Sequence, residues 1–393
     1  MIEAAVEWAR RGNPCWFVVP CPSLPFVSGA GRPTILELLE PAAAGTGLSI
    51  VATPAGRRFE LGSRRWRAYE YASALGASVP AGVPVLVSDD ESVWRAGAWC
   101  SPRNPLIGVL HGDDPHYYGL AQRHARQASA LVAVSQRIRR NLAGLPGVSR
   151  AKQWVIPCGV SLGVPPAASR AARDLRILWI GRIEEERKRA SDIATIAGRL
   201  RDDGMRFTIE VIGDGPVRPG LEQAIARSGL SGHVRMSGWR SPAEIRRALQ
   251  DADVLLSTSN FEGMPLVVME ALAAGCAVVA SRVSGVEDYD ERPDAAGCLW
   301  TYPVGDVAAA ARAVHAVTER PRDAIARVAR ALAEAEFSIE RCMDRYAAVV
   351  RQLVPARGAR PRLWPHRVAA AASPILAFAR AVRAGLHPIT RPG

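Results

Sequence analysis

The chain has 393 residues, of which 48% are hydrophobic and 22% charged, a balance that supports two domains with their own cores and excludes a disordered chain. Its formal net charge is +12, carried almost wholly by arginine, since Lys152 and Lys188 are the only lysines. Such an excess suits phosphate-bearing small molecules, an anionic membrane surface or nucleic acid, and nucleic acid ranks last because no motif for it is present.

The cysteines and the N-terminus predict the compartment. The seven cysteines are odd in number and form no C-x-x-C pair, so we expect neither disulfides nor structural zinc. The first residues carry acids where a signal peptide needs bases. No uninterrupted apolar stretch approaches the roughly 20 residues of a membrane-spanning helix. These features predict a cytoplasmic protein.

Strand-like runs alternate with helical patterns along the whole chain, as in parallel α/β sheets. The predicted strands are 16–20, 48–53, 83–87, 106–110, 130–134, 154–156, 176–180, 208–212, 234–236, 254–257, 277–280 and 297–300. Residues 159–169, rich in Gly, Pro and Ala, form the natural linker between two halves. A ligand is then expected between the halves, outside the carboxyl ends of the strands.

A glycine-containing loop comes early in the chain. Gly29 and Gly31 follow the first predicted strand and precede a helical pattern at 35–39. Such a loop lets a backbone approach phosphate closely, although a flexible strand-to-helix connection explains it equally well.

His111 follows the predicted strand 106–110 and so stands at its carboxyl end. Asp113, Asp114 and His116 come next, and the four side chains together are plausible metal ligands. A closed ligand set cannot be inferred from their spacing, and a histidine at a strand end also often satisfies a backbone carbonyl.

A basic loop follows the first predicted strand of the second half. It contains Gly181, Arg182, Arg187 and Lys188. A guanidinium and an ammonium held together can neutralise a diphosphate as it leaves a reacting centre. The alternative is a solvated loop in which the glutamates at 184–186 balance the charge.

The next strand ends in a glycine turn that contains Gly213 and Pro216. The obvious alternative interpretation of this turn is a dinucleotide-binding G-x-G-x-x-G fingerprint. It fails because the third glycine, Gly220, falls too late and because Pro216 and Pro219 interrupt the start of the helix.

Farther along, Trp239 and Arg240 precede a helix start at which Ser241 and Glu244 have the spacing of a capping box. The Asp-Ala-Asp run at 251–253 imitates a metal-binding motif. It leads directly into a buried strand, however, so we interpret it as a helix end.

The segment 260–280 is the most informative. Glu262 precedes a helix, Pro265 suits its first position, and Glu270 is a charge inside an otherwise apolar helix that Gly275 ends. A helix start after a glycine-containing loop offers free N–H groups to a phosphate, and a buried carboxylate needs partners that sugar hydroxyls could provide. The segment predicts a site for a ligand that carries both groups.

These motifs resemble those of the family-4 group of retaining GT-B glycosyltransferases. Glu262 and Glu270 have the spacing of its E-x7-E motif, and the basic loop is similar to its G-R-x4-R-K segment. The family usually has glycine after this lysine, whereas this chain has Arg189. The resemblance spans about residues 29–346, with the motifs in the family's order.

The resemblance implies an α/β fold of the GT-B class, with two doubly wound Rossmann-like domains facing a central cleft. It implies an acceptor-side domain at 1–165, a nucleotide-sugar domain at 170–336 and a crossover helix at 337–354 that packs on the first domain. The remaining residues, 355–393, form a basic tail with seven arginines and no acid.

The resemblance also assigns roles to residues of this sequence. Arg182 and Lys188, assisted by Arg187, would bind the diphosphate and stabilise its departure. Glu270 would hold the ribose, and Glu262 and His111 the transferred sugar. The residues implied to bind the donor are Gly29, Gly31, Gly181, Arg182, Arg187, Lys188, Gly213, Trp239, Arg240, Glu262, Gly263, Met264, Pro265, Leu266 and Glu270.

The function expected from the resemblance is retaining, metal-independent transfer of a sugar from a nucleoside diphosphate sugar to an acceptor. The acceptor could be a glycan, a lipid carrier or a small metabolite, and no separate cofactor is expected. An NAD-dependent Rossmann-type enzyme and a non-catalytic sugar-nucleotide or glycan-binding protein are the alternatives. The tail at 355–393 is either a solvated basic tail or an interfacial anchor for anionic lipid. We favour the anchor, which would place the protein on the inner face of the cytoplasmic membrane.

Overall fold

The computed structural model describes residues 2–13, 15–19, 48–52, 64–163 and 174–354. The loop of Gly29 and Gly31, the helical pattern at 35–39 and the tail at 355–393 lie outside these residues. Below, the N-terminal half means the described residues up to 163, and the C-terminal half means residues 174–354.

The N-terminal half is built from parallel strands and the helices between them. Its strands are β1 (Cys15–Val19), β2 (Leu48–Ala52), β3 (Val85–Val87), β4 (Leu106–Leu110), β5 (Ala128–Ala133) and β6 (Gln153–Val155). Its helices are α1 (Ile2–Arg10), α2 (Arg64–Ser78), α3 (Glu91–Cys100), α4 (Pro115–His124) and α5 (Gln136–Ala143). Strands β3 to β6 form one sheet in sequence order, and β1 pairs with β2.

The C-terminal half holds a six-stranded parallel sheet in the order β12-β11-β10-β7-β8-β9. Its strands are β7 (Leu175–Ile180), β8 (Phe207–Ile212), β9 (Val234–Gly238), β10 (Val254–Ser257), β11 (Ala277–Ser281) and β12 (Leu299–Tyr302). Its helices are α6 (Asp192–Asp202), α7 (Arg218–Arg227), α8 (Pro242–Asp251), α9 (Leu266–Ala273), α10 (Val307–Thr318), α11 (Arg322–Glu336) and α12 (Ile339–Leu353).

The strand order explains where a ligand can bind to this sheet. The chain runs outward from β7 through β8 and β9, then returns to the other side of β7 with β10. Loops that leave two adjacent strands in opposite directions open a crevice at their carboxyl ends. That switch point lies between the loop that starts at Gly181 and the loop that starts at Thr258.

Local chemistry accounts for the elements nearest this edge. Every residue of β4, β10 and β11 is buried, as expected for parallel strands covered on both faces. Asp90, Asp114 and Ser135 cap helices α3, α4 and α5, because each side chain accepts a hydrogen bond from a backbone N–H of the first turn. These caps fix where each helix leaves the carboxyl end of its strand.

The crossover helix ties the end of the described chain to its beginning. Val160 pairs with Ser338 in a parallel bridge, and its N–H donates to the Phe337 carbonyl at 2.8 Å. From α12, Asp344 accepts a hydrogen bond at 2.7 Å from Arg11, which follows α1. The helix therefore contacts the N-terminal half at its first helix.

A second set of contacts joins the halves at the start of α5. The Ser135 and Ser284 hydroxyls lie 2.7 Å apart and are buried. The Gln136 N–H donates to Asp288 at 2.7 Å, which places a carboxylate at the positive end of α5.

Each of the twelve predicted strands overlaps an observed strand, and the predicted and observed ends differ by at most two residues. The position of Pro265 was wrong: the helix begins at Leu266, and Pro265 is the capping residue with extended backbone angles. The Val268 N–H bonds to the Pro265 carbonyl, so proline supplies an acceptor rather than the first helical turn. Across the described ranges, no helix is both long and apolar enough to cross a membrane.

Candidate active site

The centre of the site is an ion pair between the two loops at the switch point. The Lys188 ammonium lies 2.5 Å from Glu262 Oε1, and the Ser259 hydroxyl donates to the same oxygen at 2.8 Å. Both charged side chains are largely covered, with exposed fractions of 21% and 12%. Partial burial strengthens such a pair relative to one in water. The two predicted charges therefore meet at one point.

Hydrogen bonds to the backbone hold these loops in register. The Thr258 hydroxyl donates to the Lys188 carbonyl at 2.7 Å and accepts from the Trp179 indole at 2.9 Å. Asn260 bonds to the carbonyls of Arg187 and Glu186 through its N–H and its amide group, at 2.8 and 2.7 Å. The ammonium of Lys188 is thus positioned by its own main chain and not only by its partner.

Arg189 occupies the position at which the family usually has glycine. Its φ is +45°, in the left-handed region, which costs a non-glycine residue about 1–2 kcal/mol. The Arg189 guanidinium forms two hydrogen bonds to the buried Asp192 carboxylate, at 2.7 and 3.1 Å. This pair offsets the strain, so the turn after Lys188 is kept without glycine.

The other two basic residues of the loop are placed differently. The Arg182 side chain is 69% exposed, and its guanidinium lies 3.2 Å from Glu184. Arg187 lies over the Phe261 ring, with its guanidinium carbon 5.0 Å from the ring centre, a cation–π contact. Lys188 is therefore the fixed cation of the loop, whereas the Arg182 guanidinium faces solvent.

Helix α9 directs its first turn toward this ion pair. No side chain caps its start, and the Val268 N–H bonds to the Pro265 carbonyl, so the N–H groups of Leu266 and Val267 remain available to an anion. Met264 and Pro265 are buried, Leu266 is half exposed, and Glu270 is half-buried one turn farther along. This arrangement suits a ligand with phosphate at the helix start and hydroxyls beside the carboxylate.

The glycines that suggested a dinucleotide fingerprint have another role. A Cβ on Gly213 would lie 1.8 Å from the Gly181 carbonyl oxygen, and one on Gly215 would lie 2.3 Å from that of Ile183. These glycines let two backbone segments touch. The Gly213 N–H also donates to the Gly238 carbonyl at 2.8 Å.

Trp239 and Arg240 follow β9 at the same edge of the sheet. The Trp239 side chain is 50% exposed, and Arg240 lies 3.4 Å from Glu244. The predicted capping box between Ser241 and Glu244 is confirmed, with both of its hydrogen bonds present. Trp239 and Arg240 thus stand just after the carboxyl end of β9.

The N-terminal half reaches the site through His111. A Cβ on Gly263 would lie 1.7 Å from the His111 carbonyl oxygen, so the two backbones touch. The Cys158 N–H donates to the Met264 sulfur at 3.2 Å. Glycine at 263 is therefore required by space, and it brings His111 next to Glu262.

The His111 imidazole is held in its neutral form. Burial lowers its pKa, which the Asp89 carboxylate opposes. Its Nδ1 lies 3.9 Å from the Cys158 sulfur, and its buried Nε2 has no hydrogen-bond partner within the described ranges. A neutral imidazole with one free nitrogen can bind a sugar hydroxyl.

Beside His111 lies a cluster of carboxylates and phenols, defined here as Asp89, Asp113, Tyr117 and Tyr118. The Tyr117 hydroxyl donates to Asp89, and the Tyr118 hydroxyl donates to Asp113. Burial and these carboxylates raise the pKa of both phenols, whereas the charge of Arg187 from the other half lowers that of Tyr117. Tyr117 is therefore close enough to the basic loop to feel the charge of Arg187.

Three of the four side chains of the alternative metal site, those of Asp113, Asp114 and His116, have other partners. His116 contacts the Asp89 carbonyl at 2.6 Å, Asp114 caps α4, and Asp113 binds Tyr118. Within the part of the chain that the structure describes, no group of three or more His, Cys, Asp or Glu side chains could hold a metal ion. Asp253 is also structural, since its carboxylate accepts the Arg176 N–H at 2.8 Å.

Sequence reasoning missed Asp89 and the two tyrosines. Asp89 has φ +54°, an uncommon conformation for a residue with a side chain. One signal was available, because the Ser-Asp-Asp run after β3 places two acids at a strand's carboxyl end. The tyrosine partners come from another element and carry no spacing signal.

Comparison with known proteins identifies the family and the fold. The family model described as Glycosyltransferase Family 4 matches residues 1–164, and the model described as Glycosyl transferases group 1 matches residues 174–320. The amylovoran biosynthesis glycosyltransferase AmsK of Erwinia amylovora is 33% identical over 268 residues, 63% of this chain and 64% of that protein. The 2-deoxystreptamine glucosyltransferase of Streptomyces kanamyceticus is 30% identical over 213 residues, 51% of this chain and 54% of that protein.

The chain thus spans between half and two thirds of these curated relatives. Among solved structures, HepE of Anabaena in complex with UDP and glucose superimposes with a TM-score of 0.68 and 20% identity, covering 89% of this chain and 94% of that one. That likeness shows the predicted fold, with two parallel-sheet domains of the GT-B class. The chain belongs to the GT-B glycosyltransferases that the two family models describe, the family-4 and group 1 glycosyl transferases.

Proposed function

We propose that this protein is a retaining glycosyltransferase that moves a sugar from a nucleoside diphosphate sugar to an acceptor. One observation carries the proposal: the Lys188 ammonium and the Glu262 carboxylate meet 2.5 Å apart at the switch point. Beside them stand an uncapped helix start and, from the other half, His111. A cation, N–H donors and sugar-binding groups thus converge where a glycosyl phosphate can lie.

The cation and the helix start stabilise the leaving group. As the bond between the anomeric carbon and the diphosphate oxygen breaks, negative charge grows on that oxygen. Lys188 and the N–H groups at the start of α9 are fixed in place beforehand, so little reorganisation opposes the reaction. Arg182 is solvent-facing, and we propose that it turns onto the diphosphate when the donor binds.

The remaining groups orient the sugar. Glu262 accepts hydrogen bonds from its hydroxyls, Glu270 accepts those of the ribose, and the neutral His111 binds the sugar from the opposite side. At the transition state the transferred sugar carries positive charge and resembles an oxocarbenium ion. The acceptor oxygen attacks from the face that the diphosphate leaves, and a diphosphate oxygen takes its proton. The anomeric configuration is thereby retained without a protein nucleophile.

The relatives support a class of substrate. HepE was solved with UDP and glucose, which favours a nucleotide-sugar donor here. AmsK takes part in amylovoran biosynthesis, which favours a growing polysaccharide or its carrier as acceptor. We propose a role in polysaccharide or glycoconjugate synthesis.

The test is release of nucleoside diphosphate from a panel of nucleoside diphosphate sugars, with an acceptor mixture from a polysaccharide-producing cell. The unmodified chain should turn over at least one donor, and Lys188→Ala should lower turnover on the order of a hundredfold or more. Lys152→Ala, which alters the only other lysine, is the matched control. Near-normal turnover by Lys188→Ala would refute the proposed mechanism.

We propose that the reaction needs no divalent metal, because Lys188 and the start of α9 supply positive charge at the leaving group. Turnover should be unchanged in EDTA. Loss of activity in EDTA, restored by Mg²⁺ or Mn²⁺, would contradict this part of the proposal and leave the donor assignment standing.

We also propose that the protein works on the inner face of the cytoplasmic membrane, with residues 355–393 binding anionic lipid. The support is the tail's seven arginines and absence of acids. Flotation with anionic liposomes should be stronger for the full chain than for a chain ending at residue 354. Equal flotation would exclude the tail as an anchor.

A further inference from the structure

A groove lies on the N-terminal half between helix α5 and strand β6. It is lined by Arg139, Arg140, Ala143, Arg150 and Gln153, and its volume is about 310 Å³. Helix α5 runs back from the carboxyl end of β5, and Gln153 is the first residue of β6. The groove therefore lies toward the amino ends of the strands, whereas His111 lies at the carboxyl ends.

The groove carries an excess of positive charge. Arg139 and Arg150 are exposed, and neither guanidinium has an ion-pair or hydrogen-bond partner within the residues that the structure describes. Arg140 lies 3.0 Å from Glu287, a carboxylate that also binds Arg137. One carboxylate thus serves two guanidiniums, and those of Arg139 and Arg150 have no acid partner in the described part of the chain.

The uncharged polar side chain of the groove points to the same kind of ligand. The Gln153 amide nitrogen is buried and has no acceptor among the described residues. A buried donor without an acceptor costs free energy, which a ligand oxygen can recover. Apart from the Gln153 carbonyl oxygen, every polar side-chain group that lines the groove is a donor.

From these observations we infer that the groove is a phosphate-binding site. Guanidiniums bind phosphate through two parallel hydrogen bonds, and a ring of such donors excludes cationic ligands. The ligand is a phosphate group, carried either by a lipid headgroup or by a small soluble phosphate. The site is separate from the diphosphate position beside Lys188, and it does not depend on the proposed transfer reaction.

The experiment compares two variants of the full chain that lose the same charge. In one, Arg139→Gln and Arg150→Gln are combined. In the control, Arg246→Gln and Arg247→Gln remove two exposed arginines of α8, in the other half. The probes are vesicles of phosphatidylcholine with and without phosphatidylglycerol, followed by co-sedimentation, and inorganic pyrophosphate, followed by calorimetry. Thermal unfolding and donor turnover check that each variant is folded.

If the phosphate belongs to a lipid, the Arg139/Arg150 variant should bind the anionic vesicles roughly thirtyfold more weakly, since each arginine near such a surface contributes on the order of 1 kcal/mol. If it belongs to a soluble molecule, that variant should instead lose pyrophosphate binding. The control should bind like the unmodified chain in either case, and the tail and the donor site contribute equally to all three proteins. Equal binding of both probes by the two variants would overturn the inference.

Discussion

The two sides of the cleft are built by different chemistry. On the C-terminal side, a cation and a carboxylate meet, and side chains bonded to backbone carbonyls hold their loops. On the N-terminal side, phenols donate to carboxylates beside a buried neutral imidazole. The first side is suited to bind an anionic leaving group. The second is suited to bind hydroxyls.

The two sides also differ in whether their residues lie in recognisable sequence motifs. Lys188 and Glu262 belong to runs whose spacing resembles that of the family, whereas Arg189 departs from its pattern. The cluster of Asp89, Asp113, Tyr117 and Tyr118 draws on two separate segments, one after β3 and one after β4. Lys188 and Glu262 could therefore be found from short runs of sequence, whereas the cluster on the N-terminal side is brought together only by the structure.

The largest expected effect comes from separating the two sides. In Gly263→Ala the new Cβ would stand 1.7 Å from the His111 carbonyl oxygen, so the backbones must part. Displacement of the sugar-binding groups by about an ångström should lower turnover on the order of a hundredfold. Gly220→Ala is the matched control, since its Cβ would meet no described atom within 4 Å. Equal kinetics for the two variants would show that the contact is not needed.

The next effect is confined to the donor side. Glu270→Ala removes a half-buried carboxylate on α9 and should weaken binding of the nucleoside diphosphate by roughly tenfold or more, as expected for loss of a hydrogen bond to a charged group. Calorimetry measures the change directly. Glu319→Ala, an exposed glutamate after α10, is the control. Unchanged nucleotide affinity in Glu270→Ala would remove this residue from the donor site.

A smaller effect is expected from the acceptor side. Tyr117→Phe deletes the hydroxyl that donates to Asp89 and should raise KM for the acceptor by about threefold to tenfold, leaving KM for the donor unchanged. Initial rates with either substrate varied separate the two constants. Tyr69→Phe, on α2, is the control. A change in the donor KM alone would mean that the cluster belongs to the donor side.

The smallest effect is on stability. Because burial lowers the pKa of His111, the unfolded chain binds this proton more readily than the folded one. The neutral imidazole contributes fully to the free energy of unfolding above about pH 6.5, the ordinary histidine pKa. That contribution is lost as the pH falls through the lowered pKa of the folded state. His111→Gln should therefore lose less stability than the unmodified chain between pH 7 and 5, in denaturant titrations. Parallel curves would contradict a buried neutral histidine.

Much of the fold could be predicted from the sequence, because parallel strands that are buried on both faces appear there as short apolar runs between turns. The capping box at Ser241 and the end of α9 at Gly275 could be predicted because caps and stops are local. Pro265 was misplaced by one position, since proline serves both as a cap and as a first helical residue. Whether the turn tolerates Arg189 could not be predicted, because Asp192, the partner that offsets its strain, reaches it only once the turn has formed.

The sequence by itself determined the order of strands and helices, the family, and the charged residues at the ends of β7 and β10. Those features follow from local periodicity and spacing, which need no information about distant residues. Only the tertiary structure decided that Lys188 faces Glu262 while Arg182 faces solvent, and that Gly263 touches His111 across the cleft. Side-chain direction and close backbone approach depend on residues about seventy or more positions apart, whose contact exists only once both sheets have formed.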